Sequence, residues 1–203
     1  MKQVILFVLI LASLSCNSQT TQAPFTLIKS GEYRDGTLNL AVDYSDSTIT
    51  GYFEESIERS GSWFCSFYFK GTFENDTFRI VIGDKHNFEY KSELINGKIF
   101  GNNVDITLTL NEAIDADCWR VIKGAEFQGF TFGLEQAAEW SSIKIIKEKA
   151  YFHSAPNVNS RRAAYVIPND LIYVKEEKSG WVLAEFHGKS VTTGWIESNK
   201  VKN

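Results

Sequence analysis

The chain has 203 residues, of which 43% are hydrophobic, 14% aromatic and 23% charged, with a formal net charge of −4. This much apolar material buries one or two compact cores, which excludes a disordered or collagen-like chain. No nucleotide-binding loop, zinc signature or catalytic motif stands in the sequence, so the reading is a non-enzymatic protein with no cofactor and no metal.

At the start, Lys2 precedes an apolar run over 4–12 that ends in Ser13-Leu14-Ser15-Cys16. A charged start, a short apolar centre and a small-residue exit mark 1–15 as a secretory signal peptide. The run is too short to span a bilayer, which takes about 20 apolar residues. Two cleavage readings stay open. In one, Cys16 is the lipid-modified first residue of a lipoprotein, with the polar stretch Asn17-Ser18-Gln19-Thr20-Thr21-Gln22 as its tether. In the other, Ser13 and Ser15 satisfy ordinary signal peptidase, since Ser13 departs from the Leu usual three places before a lipobox Cys. Either way the mature chain is exported, to the periplasm or outer membrane, and meets a membrane by a lipid anchor only.

Export decides the reading of the other cysteines. Cys65 and Cys118 are an even pair in an oxidising compartment, so a disulfide is expected. Closing so long a loop contributes about 4 kcal/mol in the chain-entropy model. His86, His153 and His187 stand isolated in the sequence, and support neither an activated cysteine nor a metal cluster.

Over 25–134 short strand-like runs alternate with turn pairs. The runs are 25–33, 37–44, 48–54, 63–70, 77–82, 88–95, 104–110 and 127–134, and the separators include Asp35-Gly36, Asp46-Ser47, Asn75-Asp76, Asn96-Gly97 and Gly101-Asn102-Asn103. In 63–70 the odd positions, Trp63, Cys65, Phe67 and Phe69, are all apolar, while Phe64, Ser66, Tyr68 and Lys70 are mixed, which places Cys65 inward. The expected fold is all-β, an antiparallel up-and-down barrel or a curved sheet, because closure removes unpaired edges. The stretch 134–142 is the one that reads as helical, with 135–142 as the connector. Five further strands are expected at 143–149, 162–167, 171–176, 181–186 and 193–196, with Ile145, Val166, Val174, Val182 and Ile196 in their core. The unit 143–203 is expected to fold alone, with proteases cutting in the connector.

In this last part, Lys149-Ala150-Tyr151-Phe152-His153-Ser154-Ala155-Pro156 reads as a strand and first loop ending in a small residue and Pro. Tyr165-Val166-Ile167-Pro168-Asn169-Asp170-Leu171-Ile172-Tyr173-Val174 reads as strand, turn and strand, with Asn169 in place of the usual Gly. Ser179-Gly180-Trp181-Val182 and Thr193-Gly194-Trp195-Ile196 repeat a Gly-Trp-aliphatic step. In this order and spacing, 143–201 resembles the bacterial SH3-like domains, which implies a small five-stranded SH3-like barrel. The resemblance also implies a non-catalytic envelope module, since several such domains bind peptidoglycan or peptides and others are adaptors. Tyr151, Tyr165, Tyr173, Trp181 and Trp195 are candidates for a groove. Trp181 and Trp195 are assigned to core packing or strand starts, and Tyr151, His153 and Tyr165 to ligand contact. The Gly51-Tyr52-Phe53 step, the Cys65 strand and Cys118-Trp119 ahead of such a module are similar to an uncharacterised group of exported bacterial proteins.

Residues 17–142 hold 10 Lys and Arg against 19 Asp and Glu, a balance of −9, and 143–203 hold 10 against 6, a balance of +4. Opposite halves can dock on each other, or each can draw its own partner, a cationic protein for the acidic half and an anionic glycan, teichoic or lipid surface for the basic one. Nucleic acid is not expected, because no basic stripe is clustered for phosphate. Glu54-Glu55, Asp115 with Asp117, and Glu176-Glu177 read as solvated faces or turns, not as carboxyls facing across a cleft. The expected function is a non-enzymatic exported binding protein whose SH3-like module recognises peptidoglycan or an envelope peptide or protein. The alternative is an inhibitor or immunity protein against a cationic hydrolase such as lysozyme.

Overall fold

The computed structural model describes residues 27–34, 37–59, 61–84, 94–123 and 128–202. The signal peptide, Cys16, its tether, His86, the Asp35-Gly36 turn and most of 88–95 lie outside the described residues.

Eight strands follow one another as antiparallel neighbours: β1 (Gly31–Tyr33), β2 (Leu38–Asp43), β3 (Thr48–Arg59), β4 (Gly61–Glu74), β5 (Thr77–Gly83), β6 (Ile95–Gly101), β7 (Asp105–Leu110) and β8 (Phe130–Ala137). β8 returns to β1, through Gly31 opposite Ala137, and closes an up-and-down barrel. Alternation of side chains along each strand sends one set inward. Cys65, Phe67 and Phe69 of β4 are buried with Phe53, Phe78 and Phe132, and Phe53 stacks on Phe67 with ring centroids 5.0 Å apart. The outer face carries exposed Glu54, Lys70, Arg79 and Lys98, a polarity opposite to that of a lipid-facing barrel. Among the described residues no helix is long and apolar enough to cross a membrane. Asn75 and Asp76, at φ 49° and 61°, form the left-handed pair that a two-residue hairpin between β4 and β5 requires.

A short helix, α1 (Ala116–Val121), packs on β4. Asp115 caps it, its carboxylate accepting from the N–H groups of Asp117 and Cys118 at 2.9 and 2.7 Å. Cys118, on the helix, is bonded to Cys65, with sulfurs 2.07 Å apart. Asp117 pairs with Arg120 at 3.5 Å, so both aspartates noticed in the sequence serve the helix.

Some local expectations are overturned. Residues 134–142 are not helical: β8 runs on to Ala137 because Leu134, Gln136 and Ala137 pair with β1 to close the barrel, and that pairing overrides helix propensity. Asn96 and Gly97 form no turn. They lie inside β6, opposite Val81 and Ile80 of β5, with Gly97 on a buried position.

The C-terminal residues form a second antiparallel sheet of six strands, not five. These are β9 (Ser142–Ile145), β10 (Ala150–His153), β11 (Arg161–Val166), β12 (Leu171–Lys178), β13 (Trp181–His187) and β14 (Val191–Glu197), in the spatial order β11-β10-β14-β13-β12-β9. The additional strand is β10, which places Tyr151 and His153 on a strand and not on a loop. Phe152, Val166, Ile172, Val174, Val182 and Ile196 make the core of this unit, while Trp181 and Trp195 are only half-buried and lie outside it. The two Gly-Trp steps have different causes. Gly180, at φ +83°, completes the turn between β12 and β13, whereas a Cβ on Gly194 would come within 2.9 Å of the His153 carbonyl oxygen. Asn169 does what a Gly would: at φ 71° it follows Pro168 in a turn closed by the Asp170 N–H donating to the Ile167 carbonyl at 3.1 Å.

The barrel and the second sheet share a third apolar cluster. Ala41, Tyr52 and Tyr68 on the outer wall of the barrel pack against Trp140, Ile143, Ile145 and Tyr173. Ile145, expected in the C-terminal core, faces the barrel instead.

Candidate binding face

Among the described residues, two of the concavities that gather polar and charged side chains bear on a binding face. The larger is a trough of about 980 Å³ along the junction, floored by Thr50, Lys70 and Arg79 of the barrel and walled by Lys144, Lys175 and Glu176. Most of its cations are already committed. Lys144 pairs with Glu177, Lys175 with Glu185 at 2.6 Å, and Arg79 with Glu74 at 2.8 Å.

The second lies on β10 and β11, where the sequence places its candidate residues. Tyr151 and Tyr165 are directly opposite on neighbouring strands, and their rings meet edge to face at 5.9 Å. Two cations lie on these rings. The Lys149 ammonium is 4.1 Å from the Tyr165 centroid and 5.1 Å from that of Tyr151, and the Arg161 guanidinium is 4.8 Å from the Tyr151 centroid. Tyr165 is 51% exposed. Beside this stack is a cleft of about 330 Å³ whose lining includes Lys149, Tyr151, His153, Val158, Arg161 and Glu197. No carboxylate of the described residues, Glu197 included, comes within salt-bridge distance of Lys149 or Arg161, while Lys200 at the cleft is held by Glu148 at 3.2 Å.

His153 differs from its two companions. It is buried, with 6% exposure, its Nδ1 donates to the Asn157 carbonyl at 3.0 Å, and its ring stands edge-on to Trp181 at 4.8 Å. It braces the segment that leads through the Val158–Ser160 turn to β11, so only its edge reaches the cleft. Asn157 starts that turn by accepting from the Asn159 N–H at 3.1 Å. Lys149 and Arg161 were not singled out from sequence. Their signal there is a basic residue at the start of each of two aromatic-bearing strands, Lys149 just before β10 and Arg161 as the first residue of β11.

The third histidine belongs to the junction. His187 lies against Tyr173 with centroids 4.4 Å apart, between Glu185 at 3.5 Å and Glu32 of the barrel at 3.8 Å. Trp140 Nε1 donates to Glu185 at 3.2 Å. Burial would raise the Glu185 carboxyl, but hydrogen bonds from Lys175 and Trp140 and the charge of Lys175 outweigh it and hold the group below its ordinary value. The adjacent glutamates of β3 point to opposite sides: Glu55 turns to Arg34 at 3.2 Å, and exposed Glu54 accepts from the Tyr52 hydroxyl. Among the described residues no group of three or more His, Cys, Asp or Glu stands together as a metal site. Comparison with known proteins returns no match, whether with family models, with curated proteins or with solved structures.

Proposed function

We propose that this chain is a non-enzymatic, exported, lipid-anchored binding protein whose C-terminal unit is an SH3-like module that holds a carboxylate-bearing component of the bacterial cell envelope, either peptidoglycan or an envelope peptide or protein. The observation that carries the reading is the stack of Lys149, Tyr165, Tyr151 and Arg161. Ring faces offer apolar area to a sugar or an aliphatic side chain, and cations without an acidic partner among the described residues offer charge-assisted hydrogen bonds. The trough supports it less, because its cations answer acids of the same chain. The Cys65–Cys118 bond fits an oxidising compartment and supports export.

The test is cosedimentation of the mature chain with purified peptidoglycan sacculi, with envelope peptides as competitors. Tyr151→Ala and Arg161→Ala should each weaken binding several-fold, as a contact of roughly 0.5–1.5 kcal/mol requires, with the melting curve unchanged. Raising the salt should weaken it further. Full-strength binding by the double variant, or no binding by the wild type to either probe, overturns the proposal. For the anchor, Cys16→Ala should leave a soluble or unprocessed product, and unchanged fractionation with membranes contradicts lipidation.

A further inference from the structure

We infer that the ligand is held by strand addition: an extended, acidic peptide pairs with the outer edge of β11. This rests on the binding role proposed above for the C-terminal unit. β11 is the last strand of its sheet. It pairs with β10 through Ala150 opposite Val166, Tyr151 opposite Tyr165 and, after a register shift, His153 opposite Arg161, and among the described residues no strand pairs with its other side. Such an edge presents a row of unpaired N–H and C=O groups, the template that β-augmentation uses.

The opposite edge of the sheet shows what a sealed edge looks like in this molecule. There the Ile143 N–H donates to Thr50 Oγ1 at 2.7 Å, and the Tyr68 hydroxyl donates to the Ile143 carbonyl at 2.9 Å, so the barrel closes off β9. Among the described residues β11 has no such cover. Its middle residues, Ala163 and Ala164, are small, which lets a second backbone approach to the roughly 4.8 Å of a ladder. Around it, Val158, Tyr165 and Ile167 are 64%, 51% and 50% exposed, a concentration of large apolar side chains that a solvated edge does not need.

Charge selects the occupant. Arg162 donates to the Thr193 carbonyl at 2.7 Å and is occupied, but Arg161 and Lys149 flank the edge without a carboxylate among the described residues. A strand bearing Glu or Asp on alternate positions places its acids on one face, towards these cations. A second copy of this chain is the poorer fit, since edge-to-edge pairing would bring the Arg161-Arg162 pairs of both copies into one ladder.

The probe is a capped nonapeptide of alternating Glu and Val, titrated into the mature full-length chain. Two analogues are N-methylated at every second residue, one in each frame, which removes ladder donors and keeps the charge. The parent peptide should bind, methylation in one frame should weaken it at least 20-fold and in the other only slightly, and a Lys/Val peptide should not bind. Between Tyr165 and Arg161 the register with β10 slips, so Ala163 and Ala164 lie at an irregularity of the ladder, and of Ala163→Pro and Ala164→Pro the one that folds as the wild type removes no inner donor. That variant, recognised by its wild-type melting curve, should lose the peptide. Equal binding of both methylated analogues, no binding of the parent peptide, or full binding by the well-folded proline variant overturns strand addition. If sacculi binding still depends on Tyr151 and Arg161 in those cases, the proposed function stands while this inference fails. A concentration-dependent dimer that the same proline variant dissolves would also overturn it, by making a second copy the occupant.

Discussion

Tyr68 sits where the two units of the chain meet. Its Cβ points out of the barrel, yet its ring is buried against Ile143 and its hydroxyl donates to the Ile143 carbonyl. Tyr68→Phe should cost about 0.5–1.5 kcal/mol, the worth of one hydrogen bond, read as a lower denaturation midpoint with the far-ultraviolet spectrum unchanged. No change would mean that the Ile143 carbonyl finds another donor. Cys65 is the inward counterpart on the same strand. Replacing Cys65 and Cys118 together by Ser should lower stability by roughly 2–5 kcal/mol, and an unaltered midpoint would deny the bridge its role as a staple. The inward course of Cys65 was legible because every second residue of 63–70 is apolar. The role of Tyr68 was not, since an outward Tyr among Ser and Lys reads as solvent-facing until a second unit covers it. The burial of His153 was hidden for the same reason, because its contacts, Asn157 apart, come from distant Trp181.

At the scale of elements, the runs separated by turn pairs were legible wherever alternation is clean, as in β2, β4, β5 and β7. β10 was legible only through the resemblance, as a strand leading into a first loop, because its alternation stops at Phe152 and His153, which are both buried. β9 shows how pH acts on the junction it seals. Burial pushes up the hydroxyl pKa of Tyr52 and Tyr68, and burial with nearby Glu32 and Glu54 pushes that of Tyr173 up to about 12. A group whose folded pKa is raised contributes stability that is fully present below its unfolded value, here 10, and lost as pH climbs towards the folded one. Thermal midpoints should therefore fall from about pH 10 upward, with ionisation of Tyr52, Tyr68 and Tyr173 appearing together with unfolding. Tyrosinate at one of these three residues near pH 10 in the folded chain would contradict the packing of these rings. Glu185 has the opposite sign. Its folded pKa is depressed, so its contribution is present above 4.5 and fades as pH falls below that value. Glu185→Gln should flatten the acid limb of the stability curve, and an identical limb would show that the Lys175 and Trp140 contacts do not bear on folding.

Across the whole molecule, the composition shifts near residue 140, where the barrel gives way to the second sheet, but the docking of the halves was not legible. Opposite net charges invite an electrostatic explanation, whereas the junction is built from Tyr52, Tyr68, Trp140, Ile143, Ile145 and Tyr173, and two ion pairs beside it, Lys144 with Glu177 and Lys175 with Glu185, join residues of one unit. The connector is tied down as well: the Ala138 N–H donates to the Ser30 carbonyl, the Ser141 N–H to that of Val174, and Trp140 is buried between them. Each large apolar side chain uncovered by separation would cost roughly 1.5–3 kcal/mol. The full chain should melt in one calorimetric transition, and an isolated 143–203 fragment should melt more than about 10 °C lower. Two transitions, one matching the isolated fragment, would instead bear out the expectation of independent units.

The central claim is that ligand lands on the β10–β11 face. Amide shifts of the isotope-labelled mature chain, followed during titration with soluble fragments of digested peptidoglycan, locate it directly. The expected result is a saturable set of shifts confined to 149–167 and strongest around Tyr151, Arg161 and Tyr165. Shifts centred on Thr50, Lys144 and Glu176 in the junction trough, with 149–167 unmoved, would contradict it.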